Sequence, residues 1–179
     1  MTSPRYTGTA ILLHWLIALG ILCTFAVGLY MADLHLSPWK LKVFSWHKWS
    51  GVTIFLLAVL RLGWRVGHRP PELPAMPVWQ QRAAAWTHVG LYVLMFAIPL
   101  SGWLMSSAKG VSTVYFGVLP LPDLLAKDVE LGKQLAEVHE TLAWLMISLV
   151  GLHAAGALKH HLLDKDDVLK RMLPRFGRP

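Results

Sequence analysis

The chain has 179 residues, of which 55% are hydrophobic and only 15% charged, where a soluble domain carries about 25% charged residues. So few charges cannot clothe a water-soluble fold of this length, and a mean hydropathy of +0.47 excludes a disordered chain. The net charge is nevertheless +7, an excess that suits nucleic acid, acidic lipid headgroups or a membrane-orientation signal, and its position along the chain decides between them.

Four apolar segments follow in chain order. Residues 10–32 contain no formal charge, residues 44–66 are interrupted by Lys48, Arg61 and Arg65, residues 83–108 are again uncharged, and residues 138–160 carry Glu140 near their start. A bilayer-spanning helix needs about 20 mostly apolar residues. Long basic side chains at helix ends reach the headgroups, so all four segments qualify. They are apolar all round rather than on one stripe, which argues against a soluble helical bundle. The expected fold is therefore all-α: a single four-helix up-and-down domain over residues 1–179, integral to a bilayer. Cys23, the one cysteine, permits no intrachain disulfide and reads as a small core hydrophobe.

The connections support this division. Pro70, Pro71, Pro74 and Pro77 forbid a continuous helix between the second and third segments. The longest connection, 109–137, has a turn at Pro120-Leu121-Pro122-Asp123 and then room for a short surface helix. Tryptophans gather near segment ends (Trp39, Trp46, Trp49, Trp64, Trp79, Trp86, Trp103), as interfacial anchors do. Four spans put both termini on one side. Eleven of the seventeen basic residues, including every Arg, fall on that side, against Glu72, Asp164, Asp166 and Asp167. By the positive-inside rule both termini are cytoplasmic, and the basic excess is a topology signal rather than a nucleic-acid patch.

Nine histidines in so apolar a chain need a cause. Five lie within the spans: His14, His47, His88, His139 and His153. Ionisable residues there are costly and usually functional. His139 and His153 are fourteen residues apart, close to four helical turns, so both face the same way about 21 Å apart along the axis. His47 has the depth to oppose His139, and His14 has the depth to oppose His153. Two stacked bis-histidine sites suit haem iron, whereas zinc wants three or four ligands at one point. Glycines in the spans (Gly20, Gly28, Gly51, Gly63, Gly90, Gly102, Gly151, Gly156) let a flat macrocycle approach the backbone, and they equally serve helix packing. His88 shares the depth of His14, and spacing does not choose between them as the partner of His153.

With these residues in place, the chain resembles the prokaryotic cytochrome b561 family, and it is similar to the dihaem cytochrome subunits of formate dehydrogenases and nickel–iron hydrogenases. The matching residues are His14-Trp15, His47-Lys48 with Gly51, and the His139/His153 pair. The resemblance implies two b-type haems, one held by His14 and His153 and the other by His47 and His139. His88 is then an extra imidazole near a haem propionate or a quinone, with His160 and Arg65 as further candidate contacts.

Two axial histidines leave an iron without an open position, so the implied chemistry is electron transfer. The resemblance implies a superoxide:ubiquinone oxidoreductase, in which superoxide is oxidised on the outer side and ubiquinone reduced. Lys40, Lys42 and Lys48 flank His47 in sequence and supply local positive charge for an incoming anion. The alternative is a cytochrome subunit that relays electrons between a dehydrogenase or hydrogenase partner and the quinone pool. A haem-free structural or transport protein is the third class, and an absorption spectrum separates it from both.

Overall fold

The computed structural model describes residues 5–72, 74 and 76–174. Four long helices carry the chain: α1 (Gly8–Asp33), α2 (Pro38–Gly67), α3 (Val78–Ala108) and α4 (Val129–Leu162). All four are long and apolar enough to cross a membrane. Leu12, Leu19, Leu60, Val93 and Leu152 point outward from the bundle, a surface that is stable against lipid and not against water. Cys23 is among the exposed residues, so the expectation that it packs in the core is corrected. On an all-apolar helix the sequence does not say which face turns inward.

All four helices begin earlier than hydropathy suggests, and at α2 and α4 a side-chain cap sets the start. Ser37 accepts a hydrogen bond from Lys40 N, with Pro38 at the first helical position. That leaves only residues 34–37 between α1 and α2. Pro77 leads into α3 at Val78. Asp128 accepts from the backbone N–H groups of Glu130 and Leu131, so α4 starts at Val129. The short surface helix expected after the Pro120–Asp123 turn is therefore the first turns of α4 itself. At about 1.5 Å per residue α4 is much longer than the hydrocarbon core, and its charged start (Glu130, Lys133, Glu137) stands beyond it.

Helix α1 packs on α2 and α3 on α4, and the two pairs meet along α2 and α3. Their shared core is a waist at mid-height: Ile17, Ile54, Ala58, Leu94, Met95 and Met146. The Phe25 and Trp144 rings, 5.1 Å apart, join α1 to α4. Gly20 and Gly90 serve helix packing here, against Ile54 and Leu149.

The α3–α4 connection holds an element the sequence did not announce. Strands β1 (Val114–Tyr115) and β2 (Leu119–Pro120) form a small antiparallel hairpin. Its turn places Phe116 at φ 50° and Gly117 at φ 72°. At the other end of the bundle, the chain after α4 folds back against α1 and the segment that follows α2. Trp15 Nε1 donates to Met172 O at 2.8 Å and Arg171 donates to Glu72 O at 2.6 Å.

Candidate functional site

Five histidines converge in two groups, one near each end of the bundle. At the end away from the termini, His47 of α2 faces His139 of α4, with ring centroids 6.2 Å apart. At the end carrying the termini, His14 of α1 faces His153 of α4 at 6.1 Å. His88 of α3 approaches the same His153 ring at 5.2 Å. The fourteen-residue spacing on α4 thus brings both of its imidazoles to the interior, as the helical period requires.

The His47 and His139 rings are held by backbone and glycine. His47 Nδ1 lies 3.1 Å from Thr24 O. His139 Nδ1 lies 3.1 Å from Ile98 O and 3.0 Å from Ser101 Oγ. Pro99 lies inside α3 and interrupts its ladder. One residue before it, Ile98 O accepts from Ser101 Oγ as well as facing His139. An imidazole whose Nδ1–H donates to a carbonyl presents a bare Nε2, the tautomer that binds a metal. Behind each ring stands a glycine. A Cβ on Gly28 would meet His47 Cε1 at 3.2 Å, and one on Gly102 would meet His139 Cε1 at 3.0 Å. By contrast, Gly51, Gly63, Gly151 and Gly156 have open space where a Cβ would stand.

These separations test the fit of a haem. With a metal–imidazole nitrogen bond of about 2 Å and a ring centre about 1.1 Å further on, two imidazoles across one iron sit about 6.2 Å apart. The His47/His139 and His14/His153 pairs match that separation. His88 and His153 are about 1 Å too close to share an iron on the same reckoning. The donor set is all imidazole, which is the chemistry haem iron takes and hard cations do not.

The remaining expected contacts are dispersed. Arg65 lies over the Tyr92 ring at 5.8 Å. With Arg61, His68, Trp64, Tyr6 and Pro70 it lines a cleft at the end carrying the termini. Arg61 donates to Ala10 O at 3.0 Å, one turn from His14. His160 is taken up elsewhere: its Nδ1 lies 2.6 Å from Asp166 and 3.2 Å from Asp164, which also pairs with Lys159.

The three lysines expected around His47 are spread out. Lys40, seven residues before His47, shares its helix face, and its amine donates to Leu34 O. Lys42 sits over Trp46 at 5.7 Å. Lys48 donates to Val111 O at 2.8 Å and so fastens the hairpin. Sequence reasoning missed Thr24, Ile98 and Ser101. The first two act through backbone carbonyls, which no residue pattern marks, and a serine such as Ser101 in a helix bonds within its own turn as readily as across to a neighbour.

A multi-pass helical membrane protein with facing histidine pairs at two depths is the class that this fold and site define. The sequence model of prokaryotic cytochrome b561 matches residues 5–175, and the chain belongs to that family. It is therefore a membrane electron-transfer protein of the oxidoreductase type, and b-type haem is the cofactor the family implies. It is 38% identical over 174 residues to cytochrome b561 homolog 2 of Escherichia coli, covering 96% of this chain and 93% of that one. It is 32% identical to cytochrome b561 homolog 1 of the same organism, covering 96% and 98%. A protein of Yersinia pestis named as a probable superoxide oxidase, CybB, is 29% identical over 96% of this chain and 97% of its own length.

Proposed function

We propose that this protein binds two b-type haems and oxidises superoxide on the membrane face away from its termini, delivering the electrons to ubiquinone. His47 and His139 hold one haem, His14 and His153 the other, and His88 stands beside the second pair without ligating it. The observation that carries this reading is the pair of matched ring separations, 6.2 and 6.1 Å, near opposite ends of the bundle. When bound, the haems supply one-electron transfer between the two faces.

The chain's own residues do the rest. The carbonyls of Thr24 and Ile98 fix the tautomer and orientation of His47 and His139. The waist around Ile17, Ile54, Leu94 and Met146 keeps water from the space between the two levels. Lys40, on the His47 face, draws the anion, while Lys42 and Lys48 add weaker local charge. The Arg61/Arg65 cleft and His88 offer polar contacts to a quinone headgroup. The balance is two superoxide ions, one quinone and two protons giving two oxygen molecules and one quinol. The name of the Yersinia pestis relative supports superoxide as donor. The distribution of basic residues supports cytoplasmic termini, and the prokaryotic family supports a bacterial inner membrane.

The test is anaerobic stopped-flow reduction of the purified protein by superoxide, with and without ubiquinone. Rapid haem reduction, followed by reoxidation only when ubiquinone is present, is the expected result. Reduction that requires a co-purified dehydrogenase would replace this reading with the relay subunit.

A further inference from the structure

The hairpin between α3 and α4 is unusual in where it lies. Its contacts on α2 are Lys48, whose amine donates to Val111 O, and Trp49, whose indole donates to Val114 O at 2.7 Å. Thr53 is the third: its hydroxyl is 2.9 Å from Tyr115 OH. At about 100° per residue these three sit about 100°, 200° and 240° around α2 from His47. His47 faces the interior, so the hairpin lies along the back of α2, on the surface that otherwise meets lipid. It also reaches inward. Thr53 is six residues nearer the membrane centre than His47, about 9 Å along the axis.

Its chemistry matches that position. Residues 111–122 carry no charge, and the flanking charges are Lys109 and Asp123. The tip is apolar and outward-facing: Val118 is 84% exposed, Phe116 60% and Leu119 56%. Phe116 also packs on Trp49, with ring centroids 5.2 Å apart.

Backbone polar groups inside lipid must find partners within the protein, and here many do. Gly117 N donates to Val114 O, Val118 N to Tyr115 O and Leu121 N to Thr113 O. The carbonyls of Val111 and Val114 take the two α2 side chains. Thr53 donates its own proton to Trp49 O at 2.8 Å, so the Tyr115 hydroxyl donates to Thr53. The turn bonds are common to any hairpin, whereas the donors from Lys48 and Trp49 satisfy carbonyls that water would otherwise serve.

We propose that this hairpin is inserted into the membrane, its Phe116–Leu119 tip lying among the acyl chains of the leaflet away from the termini. The occupant of the exposed apolar tip is phospholipid, continuous with the lipid that covers the rest of α2. This anchor stiffens the rim beside the His47/His139 pair and does not depend on haem.

The test is spin labelling of the full-length protein in phospholipid nanodiscs. Val118→Cys and, separately, Leu119→Cys are made with Cys23→Ala, and Lys133→Cys serves as the aqueous control. Power saturation of the spectra is then compared with oxygen and with a water-soluble nickel chelate. Both tip labels are expected to be relaxed strongly by oxygen and several-fold less by the chelate than the label at 133. Chelate access equal to that at 133 would overturn the proposal. Shielding from both reagents would also overturn it, placing protein rather than lipid over the tip.

Discussion

At the residue scale, the site depends on what stands behind each imidazole. Gly28 and Gly102 back His47 and His139 with 3.2 and 3.0 Å to a notional Cβ. Gly102→Val should push the His139 ring out of line and cost about one of two haems per chain, read as the haem-to-protein ratio. Gly63→Val, where a Cβ meets nothing within 4 Å, should leave that ratio unchanged. The lysines separate in the same way. All three amines have partners, and what sets Lys40 apart is that it shares the helix face of His47 while Lys42 and Lys48 do not. Lys40→Gln should therefore slow haem reduction by superoxide several-fold and flatten its salt dependence, with Lys42→Gln changing both less. Equal effects from the two would remove Lys40 from its assigned role. The histidines were legible in the sequence because they are rare in lipid and obey the helical period. Their Nδ1 partners were not, because Thr24 O and Ile98 O are backbone atoms.

At the element scale, the four helices were legible from apolar length, but their ends were not. Hydropathy marks where lipid begins, whereas α2 and α4 begin where Ser37 and Asp128 cap them. That difference moves Lys40 and Lys42 from a loop onto a helix and turns a separate surface helix into the start of α4. The Asp128 cap should be worth about 1 kcal/mol. Asp128→Ala is expected to lower the thermal midpoint in detergent by about 2–4 °C with the haem spectrum intact. The hairpin escaped the sequence because its strands are two residues each, and its tethers to α2 end on the backbone carbonyls of Val111 and Val114. Cys23 escaped for a related reason, since a helix apolar on every side carries no sign of its inward face.

At the scale of the whole molecule, two helix pairs close around a waist and bring one histidine pair together near each end. The choice between His14 and His88, which depth along the chain left open, acquires a physical criterion in their distances to His153, 6.1 and 5.2 Å. Orientation rests on charge alone. A fluorescent protein fused to the C-terminus should fold and fluoresce, while alkaline phosphatase fused there should be inactive. The reverse result would invert the proposed topology. The central claim is that two haems are held independently by two histidine pairs sharing α4. Haem content per chain by pyridine haemochrome assay, in the native protein and in His139→Ala, tests it most directly. The account predicts two haems in the native protein and one in the variant. A single haem in the native chain, or a variant that keeps both or loses both, would contradict it.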